Sequence, residues 1–123
     1  MPLDFNDNAA RERDRRLRRA ILQTLRFCMT TSPSGSLGAQ SLADLVNGPL
    51  PSDQRFEDAS HVIRLARELV EKNMVREKII GLRRGERLEL RHLLYAITGE
   101  GVGLLTESRP IDLDIDDDRV EVE

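Results

Sequence analysis

Tryptophan is absent from this chain of 123 residues, and aromatic residues make up only 3% of it. A core without large rings has to be built from aliphatic side chains, and a chain of this length has room for one small domain plus a tail. A single cysteine, Cys28, excludes an internal disulfide and the stapled frameworks of small secreted domains. Histidine is nearly absent too: His61 and His92 fall on different predicted elements, and no Cys-x-x-Cys or His-x-x-x-His spacing occurs. These shortages predict no catalytic residues, no metal, no cofactor and no enzymatic activity. No apolar run approaches the roughly 20 residues that span a bilayer. The first eight residues lack the basic start and apolar stretch of a signal peptide. A cytoplasmic protein without membrane contact is the expectation.

Charge is what the chain has in quantity. Charged residues are 33% of the total, and the net charge of −3 conceals an asymmetry. Residues 1–99 hold 17 Lys and Arg against 13 Asp and Glu, whereas residues 100–123 hold two against nine. A basic body followed by an acidic tail is compatible with nucleic-acid contact by the body.

The apolar pattern divides the chain into a polar, disordered residues 1–8, a folded domain over 9–109 and an acidic tail over 110–123. Leu17, Ile21, Leu25, Cys28 and Met29 recur at helical steps and predict a helix over residues 9–30. Its first half has little to bury and is expected to project, with Glu12–Arg16 and Asp14–Arg18 as i,i+4 ion pairs. Residues 31–36 read as a loop. A short helix over 37–47 should bury Leu42, Leu45 and Val46, and Gly48-Pro49-Leu50-Pro51 stops it. Ser52 is a plausible N-cap for a third helix over 52–72, because Phe56, Ala59, Ile63, Ala66 and Val70 keep the helical spacing; Asp58 is the alternative start. The apolar face includes Ala59, Val62, Ile63, Ala66, Leu69 and Val70, which leaves His61 exposed. After Asn73 come a strand-like run over 74–80, a basic glycine loop, Gly81-Leu82-Arg83-Arg84-Gly85-Glu86-Arg87, and a second strand ending at Ile97. A short helix over 98–106 follows, where Gly99, Gly101 and Gly103 turn strand into helix rather than cradle a phosphate. Ile111-Asp112-Leu113-Asp114-Ile115-Asp116 alternates at the period of a strand. The tail carries no calcium-loop glycine and is expected to be solvated outside the core.

Tyr95, Ile97, Thr98, Gly101, Leu104 and Leu105 fill the pattern Tyr-x-Leu/Ile-Thr followed by x-x-Gly-x-x-Leu-Leu. Here the chain resembles bacterial winged-helix regulators of the multiple-antibiotic-resistance and phenolic-acid-decarboxylase repressor families. The resemblance implies a mainly α winged helix-turn-helix fold: a three-helix core, a β-hairpin wing and a short C-terminal helix. It also implies a transcriptional regulator that binds double-stranded DNA at an operator, as a homodimer. The third helix then offers Gln54, Arg55, Ser60, His61, Arg64 and Arg67 for the major groove, and the wing offers Arg83, Arg84 and Arg87 for phosphates or the minor groove. Against this stand Asp53, Glu57 and Asp58, which crowd the start of that helix and repel phosphate. They favour a second reading: a winged-helix protein-interaction or accessory module, for instance one encoded by a phage, without sequence-specific DNA binding. In that case the acidic tail could engage a protein partner as an added strand, or fold back on the basic wing.

Overall fold

The computed structural model describes residues 5–31, 35–106, 112 and 115, with side chains from residue 8 onward. Its helices are α1 (Phe5–Thr31), α2 (Ala39–Asn47), α3 (Ala59–Glu71) and α4 (Gly99–Leu105), and its strands are β1 (Leu37–Gly38), β2 (Val75–Ile79) and β3 (Leu93–Ile97). The strands form one antiparallel sheet in the order β1-β3-β2. The protein is mainly helical with this small sheet, and no described helix is long and apolar enough to cross a membrane.

The aliphatic core lies between α1, α2, α3 and one face of the sheet. Leu17, Ile21, Leu22 and Leu25 of α1, Leu42 of α2, Leu65, Ala66 and Leu69 of α3 and Tyr95 of β3 are all completely buried. Ala59, expected on the apolar face of α3, is exposed, and Leu45 of α2 is a further exception. It is 57% exposed, because Ala39, Leu42, Ala43 and Val46 already form the buried stripe of the short α2 and Leu45 falls on its flank. Met29 likewise turns outward beyond Cys28, at 43% exposure. Helix α1 starts at Phe5, so residues 5–8 belong to it rather than to a disordered terminus; residues 1–4 lie outside the described residues, as do residues 32–34 of the expected loop.

Two boundaries differ from expectation. Leu37 and Gly38 form β1, not the first turn of α2, because they pair with Tyr95 and Leu94 and satisfy the second side of β3. The third helix begins at the alternative start rather than at Ser52: the Asp58 carboxylate accepts the His61 N–H at 2.9 Å as an N-cap. Ser52–Gln54 is only a 3-10 turn. Between them Phe56 is buried, and its N–H donates to Asn47 Oδ1 at 3.0 Å, which ties the linker to the end of α2 and keeps it out of the helix.

At its other end α3 closes with Asn73 in the left-handed region, φ 63°. The Asn73 N–H reaches Val70 O and the Met74 N–H reaches Leu69 O, the paired bonds of a Schellman stop. The expected hairpin forms with Val75 opposite Ile97 and Ile79 opposite Leu93. Thr98 caps α4 by accepting the Gly101 N–H at 3.2 Å, while its hydroxyl donates to Asn73 O at 2.6 Å. The tail departs from expectation at both described positions. Ile115 is 1% exposed within the core cluster, and Asp112 pairs with Lys72 at 2.9 Å, so an apolar side chain beyond residue 110 is part of the fold. The rest of the expected 111–116 strand and the acidic residues after it lie outside the described residues.

Gly101 is required by close approach. A Cβ there would stand 2.5 Å from the Met74 carbonyl oxygen and 2.6 Å from Ile97 Cγ1, whereas a Cβ on Gly99 would meet nothing within 4 Å. Gly101→Ala is expected to cost about 1–3 kcal/mol through overpacking, while Gly99→Ala should stay within about 0.5 kcal/mol of the parent. Urea unfolding of the two variants side by side checks this, and equal midpoints would contradict the packing of α4.

Candidate nucleic-acid interface

Helix α3 turns one strip outward, comprising Ser60, Arg64, Arg67 and Glu71, all exposed. His61 is not on it. It is 4% exposed and lies on the buried stripe with Val62, Leu65, Ala66 and Leu69, against the expectation that it faces solvent. Its ring is held at both nitrogens. Nδ1 accepts the Glu57 N–H at 3.0 Å, which leaves Nε2 as the protonated nitrogen, and Nε2 donates to Asp14 Oδ1 at 2.8 Å. The Phe56 ring meets it edge-on, centroids 5.7 Å apart. His61 is therefore unavailable to any ligand on the outer face.

Asp14 is the centre that the sequence reading missed. The first half of α1, expected to project, packs on α3 through this residue, which is 8% exposed. Its carboxylate accepts from His61, from Arg64 Nη2 at 3.0 Å and from Arg13 Nε and Nη2 at 3.3 Å. Burial works to raise the Asp14 pKa, but the hydrogen bonds from His61 and Arg64 and the neighbouring positive charge outweigh it and hold it below the ordinary value. The same bond to Asp14 raises the Arg64 pKa. Glu68 completes the set, accepting from Arg64 Nη1 at 3.4 Å and from Arg18 Nε at 2.8 Å. In place of the expected Glu12–Arg16 and Asp14–Arg18 pairs, Glu12 binds Arg15, Arg16 donates to Gln54 Oε1 at 3.2 Å, and Arg18 is paired with Glu68.

A second carboxylate takes up the other arginine of the strip. Arg67 donates from Nε and Nη2 to the two oxygens of Glu77 on β2, at 2.9 and 3.2 Å. The buried Tyr95 hydroxyl donates to Glu77 Oε2 at 2.8 Å. Burial opposes ionisation of Glu77, yet these donors hold its pKa below the usual range; burial and the nearby carboxylate push Tyr95 upward. Of the remaining α3-side candidates, Gln54 is half-buried against Arg16, Arg55 spends its Nε on Leu50 O at 2.7 Å, and Ser60 is exposed. The outer face of α3 is thus polar but internally neutralised.

The hairpin loop is different. Residues 76–91 hold six Lys and Arg against three Glu. Arg83 and Arg84 start a four-residue turn closed by the Glu86 N–H to Arg83 O bond at 3.0 Å. Its third position, Gly85, has φ 85°, the type II geometry that favours glycine. Glu86 braces the turn by accepting the Arg83 N–H at 2.7 Å. Arg83, Arg84 and Arg87 are exposed, and their guanidiniums have no ion pair among the described residues. Ile79, Ile80 and Leu82 beside them are 48%, 38% and 37% exposed. Below the loop, His92 is 2% exposed, and its Nδ1 accepts the Glu89 N–H at 2.9 Å.

Among the described residues no cluster of His, Cys, Asp and Glu is arranged to hold a metal. No protein family, curated protein or solved structure matches this chain.

Because the folded state lowers the pKa of Asp14 and Glu77, each adds stability above its ordinary value, 3.8 or 4.5 respectively, and that contribution is lost as pH falls through the lower folded value. Urea midpoints should therefore drop as pH is taken below about 4. Asp14→Asn is expected to be less stable than the parent at pH 7, by about 1–3 kcal/mol, and to show a shallower acid decline. An Asn variant that matches the parent from pH 2 to pH 7 would remove Asp14 from the account.

Proposed function

We propose that this chain is a winged-helix domain that binds double-stranded DNA chiefly through its wing, by contacts to the phosphate backbone. The observation that carries the proposal is the division of its arginines. Those on the outer strip of α3 are held by Asp14, Glu68 and Glu77, while Arg83, Arg84 and Arg87 on the hairpin loop are exposed and carry no ion pair among the described residues. Releasing Arg64 or Arg67 to a base edge breaks an existing charge-assisted bond; engaging a wing arginine breaks no ion pair among the described residues. The order of three helices, hairpin and short last helix, with Thr98 and Gly101 in their capping and close-packing roles, supports the winged-helix resemblance. The exposed Ile80 and Leu82 beside the arginines suit a loop that lies along a groove with an apolar edge. Regulation of transcription from an operator remains the biological role this reading favours, with little base reading by α3.

A second reading, a protein-interaction module, is favoured by one specific feature. Glu57 and Asp58 stand exposed at the start of α3, where a DNA backbone would approach.

Binding to a mixed-sequence duplex, followed across a salt series, separates the two. Arg83→Ala with Arg84→Ala is expected to weaken binding to every sequence and to flatten the slope of log affinity against log salt by about 2. Arg64→Ala should lower stability more than it lowers affinity. If the wing double variant binds as the parent does, or if the parent has no salt-dependent affinity, the interaction-module reading takes its place.

A further inference from the structure

The sheet order β1-β3-β2 leaves β2 as an outer strand. The phase of its hydrogen bonds is set at the two ends of the hairpin, where the Thr98 N–H donates to Met74 O at 3.0 Å and the Ile80 N–H donates to His92 O at 2.7 Å. Residues 74, 76, 78 and 80 therefore bond to β3, and Val75, Glu77 and Ile79 turn their N–H and C=O groups away from it. No described residue hydrogen-bonds to those outward backbone groups. An open edge of this kind is a template for an added strand, in which main-chain bonds supply affinity and alternate side chains supply selectivity.

The side chains beside the edge specify what fits. Arg76 and Lys78 are exposed on one side and have no ion pair among the described residues. They flank an open groove of about 520 Å³ lined also by Met29, Leu94 and Ala96. On the other side Ile79 is exposed. The edge suits an extended segment with acids on the Arg76 and Lys78 side and small apolar residues on the Ile79 side.

This chain carries such a segment near the edge. Asp112 is paired with Lys72, three residues before β2 begins, and Ile115 is buried. Eight residues follow, Asp116-Asp117-Asp118-Arg119-Val120-Glu121-Val122-Glu123, ending in strict Val/Glu alternation. Fully extended they reach about 26–29 Å, more than the roughly 17 Å of a five-residue strand. We propose that the open edge of β2 is the docking site of this chain's own acidic end, with Glu121 and Glu123 beside Arg76 and Lys78, and Val120 and Val122 on the side of Ile79. A second copy of β2 fits less well. Two-fold pairing centred on Glu77 would set that glutamate against its counterpart and Arg76 against the other copy's lysine, like charges directly opposite. The inference does not depend on DNA binding.

Amide hydrogen exchange on the full chain tests it, with a chain ended after Ile115 and with the full-length double variant Glu121→Lys, Glu123→Lys. The Ile115 end point keeps the Asp112 pair and the buried isoleucine. The amides of Glu77 and Ile79 are expected to exchange roughly tenfold faster in both variants than in the parent, at a rate independent of protein concentration, while those of Arg76 and Lys78 hold. Unchanged exchange at Glu77 and Ile79 in the lysine variant overturns the proposal, whether or not the shortened chain folds. Protection that grows with protein concentration also overturns it, because the occupant is then a second copy.

Discussion

A carboxylate taken out of water at the crossing of α1 and α3 is the constraint that the rest of the structure answers to. Asp14 is 8% exposed, and without partners its charge there would be disfavoured and the group driven to protonate. Three side chains meet it: Arg13 from its own helix, and His61 and Arg64 from α3. The two from α3 are one turn apart, so the carboxylate can be satisfied in only one rotation and one height of α3 against α1. That is how a polar contact worth little in net stability can still select one packing of two helices whose apolar stripes would tolerate others. The same demand turns His61 inward and sets the start of α3, because the Asp58 cap and the Glu57 N–H both close around that residue.

Glu77 does for the sheet what Asp14 does for the helices. Placed between Arg67 and the Tyr95 hydroxyl, it joins α3 to β2 and satisfies the one polar group of the largest ring in the core. Together the two acids occupy Arg64 and Arg67. Arg83, Arg84 and Arg87 on the hairpin loop carry no ion pair among the described residues, nor do Arg76 and Lys78 on β2, so the consequence of the buried electrostatics is that the hairpin offers more available charge than the outer strip of α3. Partners that need phosphate-like contacts meet arginines held on a braced turn rather than on the helix face.

The elements set by local chemistry were legible in the sequence. The α1 stripe, the glycine turn between β2 and β3 and the short helix after the second strand depend on neighbours within a few residues, and all three stand in the structure. The start of α3 was legible only as the second choice, Asp58, because Phe56, Ala59 and Ile63 keep helical spacing back to Ser52 while Phe56 is tied to Asn47 nine residues away. His61 was misplaced because a polar side chain on an apolar stripe reads as surface. Its i+4 steps to Leu65 and Leu69 were the signal that it is buried. Asp14 gave no local signal at all. It sits in a run of charges like its neighbours, and its partners are 47 and 50 residues distant. Of the candidate DNA-contacting residues, the hairpin-loop arginines carry no ion pair among the described residues, whereas Arg64 and Arg67, though also exposed, are held by Asp14 and Glu77, pairs that only the tertiary fold creates.

The arginines of the outer strip of α3 are held in ion pairs, and those of the hairpin loop are not, among the described residues. Backbone amide shifts of the full chain, followed during titration with a mixed-sequence DNA duplex at low salt, measure this directly. The account predicts that the largest changes fall on residues 81–87, with Ser60, Arg64 and Arg67 moving little. Dominant changes along the outer strip of α3, with the hairpin loop unmoved, would contradict it.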